Sequence, residues 1–96
     1  SEFDQEVLKH EGTVLVDFFA VWCPPCRALA PLLERFSEEN ADRVKIVKVD
    51  SDQDEALAAE YGIRTIPTLI AFKEGREVTR AVNPQSRAAL EALISQ

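Results

Sequence analysis

The 96-residue sequence has no methionine, one tryptophan, one tyrosine, one histidine, three glycines and only two cysteines. Each scarcity excludes something. Without methionine the chain has no initiator, so it is expected to be processed, trimmed or cloned, and compartment cannot be read from its N-terminus. One histidine and one cysteine pair make a poor metal site, because zinc takes four ligands and no second C-x-x-C completes a cage. Basic residues are also few: 11 against 17 acidic ones, for a net charge of -6, which repels nucleic acid and anionic membrane. No apolar run approaches the roughly 18 residues that a membrane helix needs. The opening SEFDQEVLKHEG lacks a basic region followed by an apolar one. The chain is therefore read as soluble, monomeric and free of nucleic-acid and membrane partners. Repeats, low-complexity tracts and linkers are absent as well, so residues 1–96 are read as a single domain.

What remains is an alternation of strand-like and helix-like patterns, the signature of an α/β fold. Phe3, Val7 and Leu8 fall at helical spacing, and that helix is expected to stop at Gly12. TVLVDFF, 13–19, is apolar on both faces except for Asp17, which suggests a central strand covered on each side. A helix after Cys23 presents Leu29, Leu32, Leu33 and Phe36 inward, and Pro31 within it is expected to kink it. VKIVKVD, 44–50, reads as a strand, followed by a helix opened by Asp52 and Glu55 and closed by Gly62. TLIAF and EVTRAV flank a Lys73-Glu74-Gly75-Arg76 turn as a hairpin. Asn83 and Pro84 read as the start of a last helix that buries Leu90, Leu93 and Ile94.

Both cysteines lie in AVWCPPCRALAP, residues 20–31. A bridge closing so short a loop is a poor staple, worth roughly 2 kcal/mol on a chain-entropy argument. Redox chemistry needs no further ligands. With Cys23 at the N-cap, Pro24 and Pro25 occupy the first helical positions, where their missing N–H groups leave the ladder intact. Side chains at i and i+3 then face each other at a separation that accepts a disulfide. The helix dipole and the amide of Cys26 favour a Cys23 thiolate, so Cys23 is the expected nucleophile. Cys26, one turn further in, is expected to be less exposed and to act as the resolving thiol.

The stretches VDFFAVWCPPCRALAP, KVDSDQ and YGIRTIPTLIAFKEG, in this order and spacing, resemble the thioredoxin family over nearly the whole chain. The resemblance implies a thioredoxin fold, here a four-stranded mixed sheet flanked by helices on both faces. It implies a protein-disulfide reductase with protein disulfides as substrates, a thioredoxin-reductase-like partner as electron source, no cofactor beyond the cysteine pair, and a cytoplasmic setting. It matches Asp17 to a buried carboxylate, Lys48 to its neighbouring lysine, Trp22 and Ile66 to the substrate surface, and Pro67 to a cis-proline opposite the cysteines. Pro24 joins that expected surface, standing where the family usually has glycine. Two further departures are a missing first strand, which leaves 44–50 as an edge guarded by Lys45 and Lys48, and a missing glycine at 81–84.

Each candidate has a plainer reading. Asp17 is a base for Cys26 or a hydrogen-bonded structural carboxylate, and Lys48 compensates it or simply packs its stem over the core. Trp22 docks protein or only packs, and the base rate for Pro67 alone favours trans. His10, at the expected end of the first helix, is read as a solvated face residue, and Pro31 as structural. A thiol oxidase or isomerase of the same fold, a Cu(I) carrier on the two cysteines, and a noncatalytic module remain rival readings.

Overall fold

The computed structural model describes residues 2–96. A helical turn, Asp4–Leu8, leads to strand β1, Thr13–Phe19, and helix α1, Pro24–Glu39. Strand β2, Val44–Asp50, and helix α2, Glu55–Glu60, follow. Strands β3, Thr68–Lys73, and β4, Arg76–Val82, precede helix α3, Arg87–Ile94. The sheet order is β2-β1-β3-β4. β1 runs parallel to β2 and antiparallel to β3, and β3 and β4 form an antiparallel hairpin.

β1 is central because its side chains on both faces are apolar: every residue from Val14 to Phe18 is buried. Leu15 points to one face and joins Leu29, Leu33 and Phe36 of α1 with Leu90, Leu93 and Ile94 of α3. Val14, Val16 and Phe18 point to the other, where Val7 of the opening turn and Ala58 of α2 cover them. The four-stranded mixed sheet with helices on both faces is thus built by period-two alternation within one strand. β2 is an edge, and Lys45 within it donates to the carbonyl of Glu6 and pairs with its carboxylate. The hairpin turn places Glu74 and Gly75 at φ +52° and +79°, the double left-handed geometry that matches strand twist.

Four expectations change at element ends. The first helix closes at Leu8 rather than near residue 11, because the Lys9 amide bonds back to Asp4 and ends the turn. His10 therefore lies in the link to β1 and not at a helix end. α2 is capped by Asp54, whose carboxylate accepts from the Leu57 amide, and not by Asp52. α3 is capped by Ser86, accepting from Ala89, while Asn83 sits before it at φ +53° with its N–H on the carbonyl of Pro67. Pro31 stands within α1, which is one continuous helix on both sides of it.

Candidate active site

Cys23 is the N-cap of α1, with φ -86° and ψ 112°, and Pro24 and Pro25 fill the first two helical positions. An extended backbone before proline is the conformation an N-cap requires, so the local sequence and the helix start reinforce each other. The Cα atoms of Cys23 and Cys26 are 5.2 Å apart and the two sulfurs are bonded as a disulfide. The Cys26 amide donates to Cys23 Sγ at 3.3 Å, and that sulfur lies 3.8 Å from the carbonyl oxygen of Ile66.

The order of exposure of the two cysteines reverses the expectation: Cys23 is 2% exposed and Cys26 7%. Cys23 lies under Ala20 and the half-buried Ile66. Cys26 borders a cavity of about 200 Å³ lined also by Phe19, Val21, Arg27, Ala30 and Lys48. Depth along the helix does not set exposure here, because the loop before β3 covers the helix start more closely than its flank.

Asp17 is 3% exposed, and its Oδ1 has no hydrogen-bond partner among the described residues. The hydrogen-bonded structural reading thus lacks a partner for that oxygen. Loss of hydration on burial pushes its carboxyl from 3.8 up to about 6, and the positive charge of Lys48 pulls it back only in part. Lys48 is its register partner on β2, exposed at its head, with Nζ 4.6 Å from the centroid of the Phe19 ring. The charge of Lys48 thus acts on Asp17 from an exposed position, with its ammonium in cation–π contact with Phe19.

Around the sulfurs, Trp22 is 60% exposed, Val21 67% and Val82 57%, and Pro24 is exposed beside them. The Trp22 indole N–H donates to Asp52 at 2.6 Å, which explains why Asp52 does not cap α2. The Ile66–Pro67 peptide bond is cis, and the Pro67 ring is fully buried. Residues that sequence reasoning missed complete the surround. Arg27 donates to the Val21 carbonyl at 3.2 Å, and Gln85 donates through Nε2 to the Pro25 carbonyl at 2.9 Å. The Gln85 contact had no local signal, since it joins positions 60 residues apart.

Among the described residues, no group of three or more His, Cys, Asp or Glu is placed to hold a metal ion, and no helix is long and apolar enough to cross a membrane. A Cys23–Cys26 disulfide at a helix N-terminus, beside a mixed sheet of this order, is the arrangement of a thiol-disulfide oxidoreductase.

Comparison with known proteins makes that class specific. The Thioredoxin family model matches residues 1–96. Thioredoxin C-2 of Corynebacterium nephridii is 50% identical over 94 residues, covering 98% of this chain and 87% of its own. The thioredoxin of Bacillus subtilis (strain 168) is 43% identical over 86 residues, covering 90% of this chain and 83% of its own. The structure of a mutant thioredoxin from Halobacterium salinarum NRC-1 superposes with a TM-score of 0.87 at 39% identity, covering 98% of this chain and 80% of that one. The chain belongs to the thioredoxin family, and its activity is that of a protein-disulfide reductase. Family members act on protein disulfides together with reductase partners.

Proposed function

We propose that Cys23 is the nucleophile and Cys26 the resolving thiol of this reductase, and that Asp17 is the base serving Cys26. The observation carrying the assignment is the Cys26 amide aimed at Cys23 Sγ from the first turn of α1, where the helix dipole also favours negative charge. In the reduced chain, Cys23 thiolate attacks one sulfur of a substrate disulfide, and the other substrate sulfur leaves as a thiolate that takes a proton. Asp17 carboxylate accepts the Cys26 proton, and Cys26 sulfur attacks Cys23 Sγ. The second substrate thiol is released and the Cys23–Cys26 disulfide remains. A thioredoxin-reductase-like partner returns two electrons and two protons to restore the dithiol.

Lys48 keeps Asp17 from becoming a permanently neutral acid, since an opposite charge nearby favours ionisation. Trp22 and Pro24, exposed beside the sulfurs, and Ile66 form the surface on which substrate docks. Ile66 makes no backbone–backbone hydrogen bond to another described residue, so an extended substrate segment has N–H and C=O groups to pair with there. Pro67, its ring buried, supports that backbone. The chain acts as one domain and as a monomer, without a cofactor, in the cytoplasm.

The test is reduction of insulin by the chain with dithiothreitol. Cys23→Ser abolishes it, and Cys26→Ser accumulates a mixed disulfide through Cys23. Capture of substrate by Cys23→Ser through Cys26 would reverse the two roles. Oxidative refolding of a reduced substrate proceeding faster than insulin reduction would favour the oxidase reading.

A further inference from the structure

We propose that Gln85 is a positioning residue that sets the acidity of Cys23 through the peptide unit joining Pro25 to Cys26. The proposal deepens the nucleophile assignment above and rests on it. Gln85 Nε2 stands 2.9 Å from the Pro25 carbonyl oxygen and 2.6 Å from Asn83 Oδ1. The Pro25 carbonyl can only accept, so the nitrogen of the Gln85 amide must face it. That carbonyl belongs to the same planar peptide unit as the Cys26 N–H, which donates to Cys23 Sγ at 3.3 Å.

The contacts therefore form one directed series: Gln85 N–H to Pro25 C=O, then Cys26 N–H to Cys23 Sγ. A donor on the carbonyl oxygen draws electron density through the amide and makes its N–H a stronger donor, the usual polarisation of linked hydrogen bonds. The effect matters more here than in most helix starts. Pro24 and Pro25 have no N–H, so Cys26 is the first residue of α1 able to donate an amide hydrogen to the sulfur.

The placement of Gln85 is itself fixed. Asn83 adopts φ +53°, a conformation asparagine tolerates, with its own N–H on the Pro67 carbonyl at 2.8 Å. Asn83 thus ties the segment to the loop opposite the sulfurs, and its side-chain oxygen holds the Gln85 amide in place. Gln85 is exposed and is not a catalytic residue, because it touches neither sulfur.

The experiment follows thiolate absorbance near 240 nm against pH in the reduced full chain, alongside the rate of iodoacetamide alkylation with the modified cysteine identified by peptide mapping. Gln85→Met keeps the side-chain length and removes the donor. Its thiolate midpoint is expected to move up by roughly 0.3 pH unit, about a twofold drop in alkylation rate below the midpoint. Gln85→Glu, which sets a carboxylate against the Pro25 carbonyl, is expected to move it further in the same direction. An unchanged or lowered midpoint in Gln85→Met, with Cys23 still the residue alkylated, overturns the relay alone. Preferential alkylation of Cys26 in the parent chain overturns the nucleophile assignment on which the relay rests.

Discussion

Asp17 and Lys48 are register partners across the parallel β1–β2 ladder, the carboxylate buried in the core and the ammonium exposed over the Phe19 ring. One ladder step therefore separates a group that resists ionising from the charge that permits it. Lys48→Met keeps most of the packing stem and removes the charge. The Asp17 carboxyl is expected to titrate above its present value of about 6, by roughly half a unit, since part of the interaction is screened by water. Carbonyl-carbon NMR of Asp17 through the pH range checks this, and an unmoved midpoint would remove Lys48 from the electrostatics of the site.

Burial of Asp17 also has a stability cost with a definite pH window. Its carboxyl is raised in the fold from 3.8 to about 6, so folding favours the protonated form and the carboxylate subtracts from stability. Nothing is subtracted below about pH 3.8, the loss grows between there and about 6, and it is constant above. Two units correspond to about 3 kcal/mol, and a buried amide recovers only part of that. Asp17→Asn is expected to be more stable than the parent by about 1–2 kcal/mol at pH 8 and equal to it near pH 4. Urea unfolding at the two pH values decides it; a gain of the same size at both would locate the effect in packing and not in charge.

The same variant separates the two chemical steps. Loss of a general base slows the step it serves by about a hundredfold or more. Asp17→Asn is expected to slow resolution of the mixed disulfide by that factor at pH 7 and to leave its formation within about threefold. Rapid-mixing kinetics with a chromogenic disulfide resolve both phases, and equal slowing of the two would end the assignment of Asp17 as base for Cys26.

Trp22 offers a cleaner docking test through its partner than through itself. Asp52→Ala removes the acceptor of the indole N–H without touching the exposed ring. Because the pair is exposed, global stability should stay within about 0.5 kcal/mol, while kcat/KM for a protein disulfide falls roughly fivefold, the worth of about 1 kcal/mol of lost orientation. Trp22, as the one tryptophan, reports the change by its fluorescence. A full kcat/KM with altered fluorescence would show that ring orientation is immaterial to docking.

Gly75 tests the frame behind the site. It sits at φ +79° in the β3–β4 turn, and a Cβ there would collide with the carbonyl oxygen of Leu8 in the opening turn. Gly75→Ala combines left-handed strain with a backbone clash, and a loss of about 2–3 kcal/mol is expected by urea unfolding. A loss below about 1 kcal/mol, the left-handed penalty alone, would mean that the opening turn shifts freely.

Strands and their faces were legible in the sequence because apolar alternation is a local signal: β1 and β2 fall on 13–19 and 44–50 as the pattern reads. Cap identities were not. Asp52 and Asp54 are chemically equal candidates two residues apart, and what separates them is Trp22, distant in sequence, which engages Asp52. Asn83 has the chemistry of a cap, but its side-chain oxygen accepts from Gln85 and its backbone at φ +53° is not that of an N-cap, leaving Ser86 to open α3. At the site, the cysteine spacing announced the helix start, whereas the burial of Cys23 beneath Ile66 depends on a loop from the other end of the sheet. Gln85 lay beyond any local pattern, being one polar residue in a polar stretch.

The placement of both cysteines within a single helical turn bears on how partners tell the two forms of this chain apart. The Cα atoms are already at bridging distance, 5.2 Å, on a backbone fixed by an N-cap and two prolines. Making or breaking the bond calls for little backbone movement, so on the proposed docking surface a substrate and a reductase would meet nearly the same contour. Discrimination then falls to sulfur chemistry: a free thiolate repels one visitor's nucleophile and attacks another's disulfide. On that proposal one small surface serves two opposite clients in turn, with direction set by the electrons it carries.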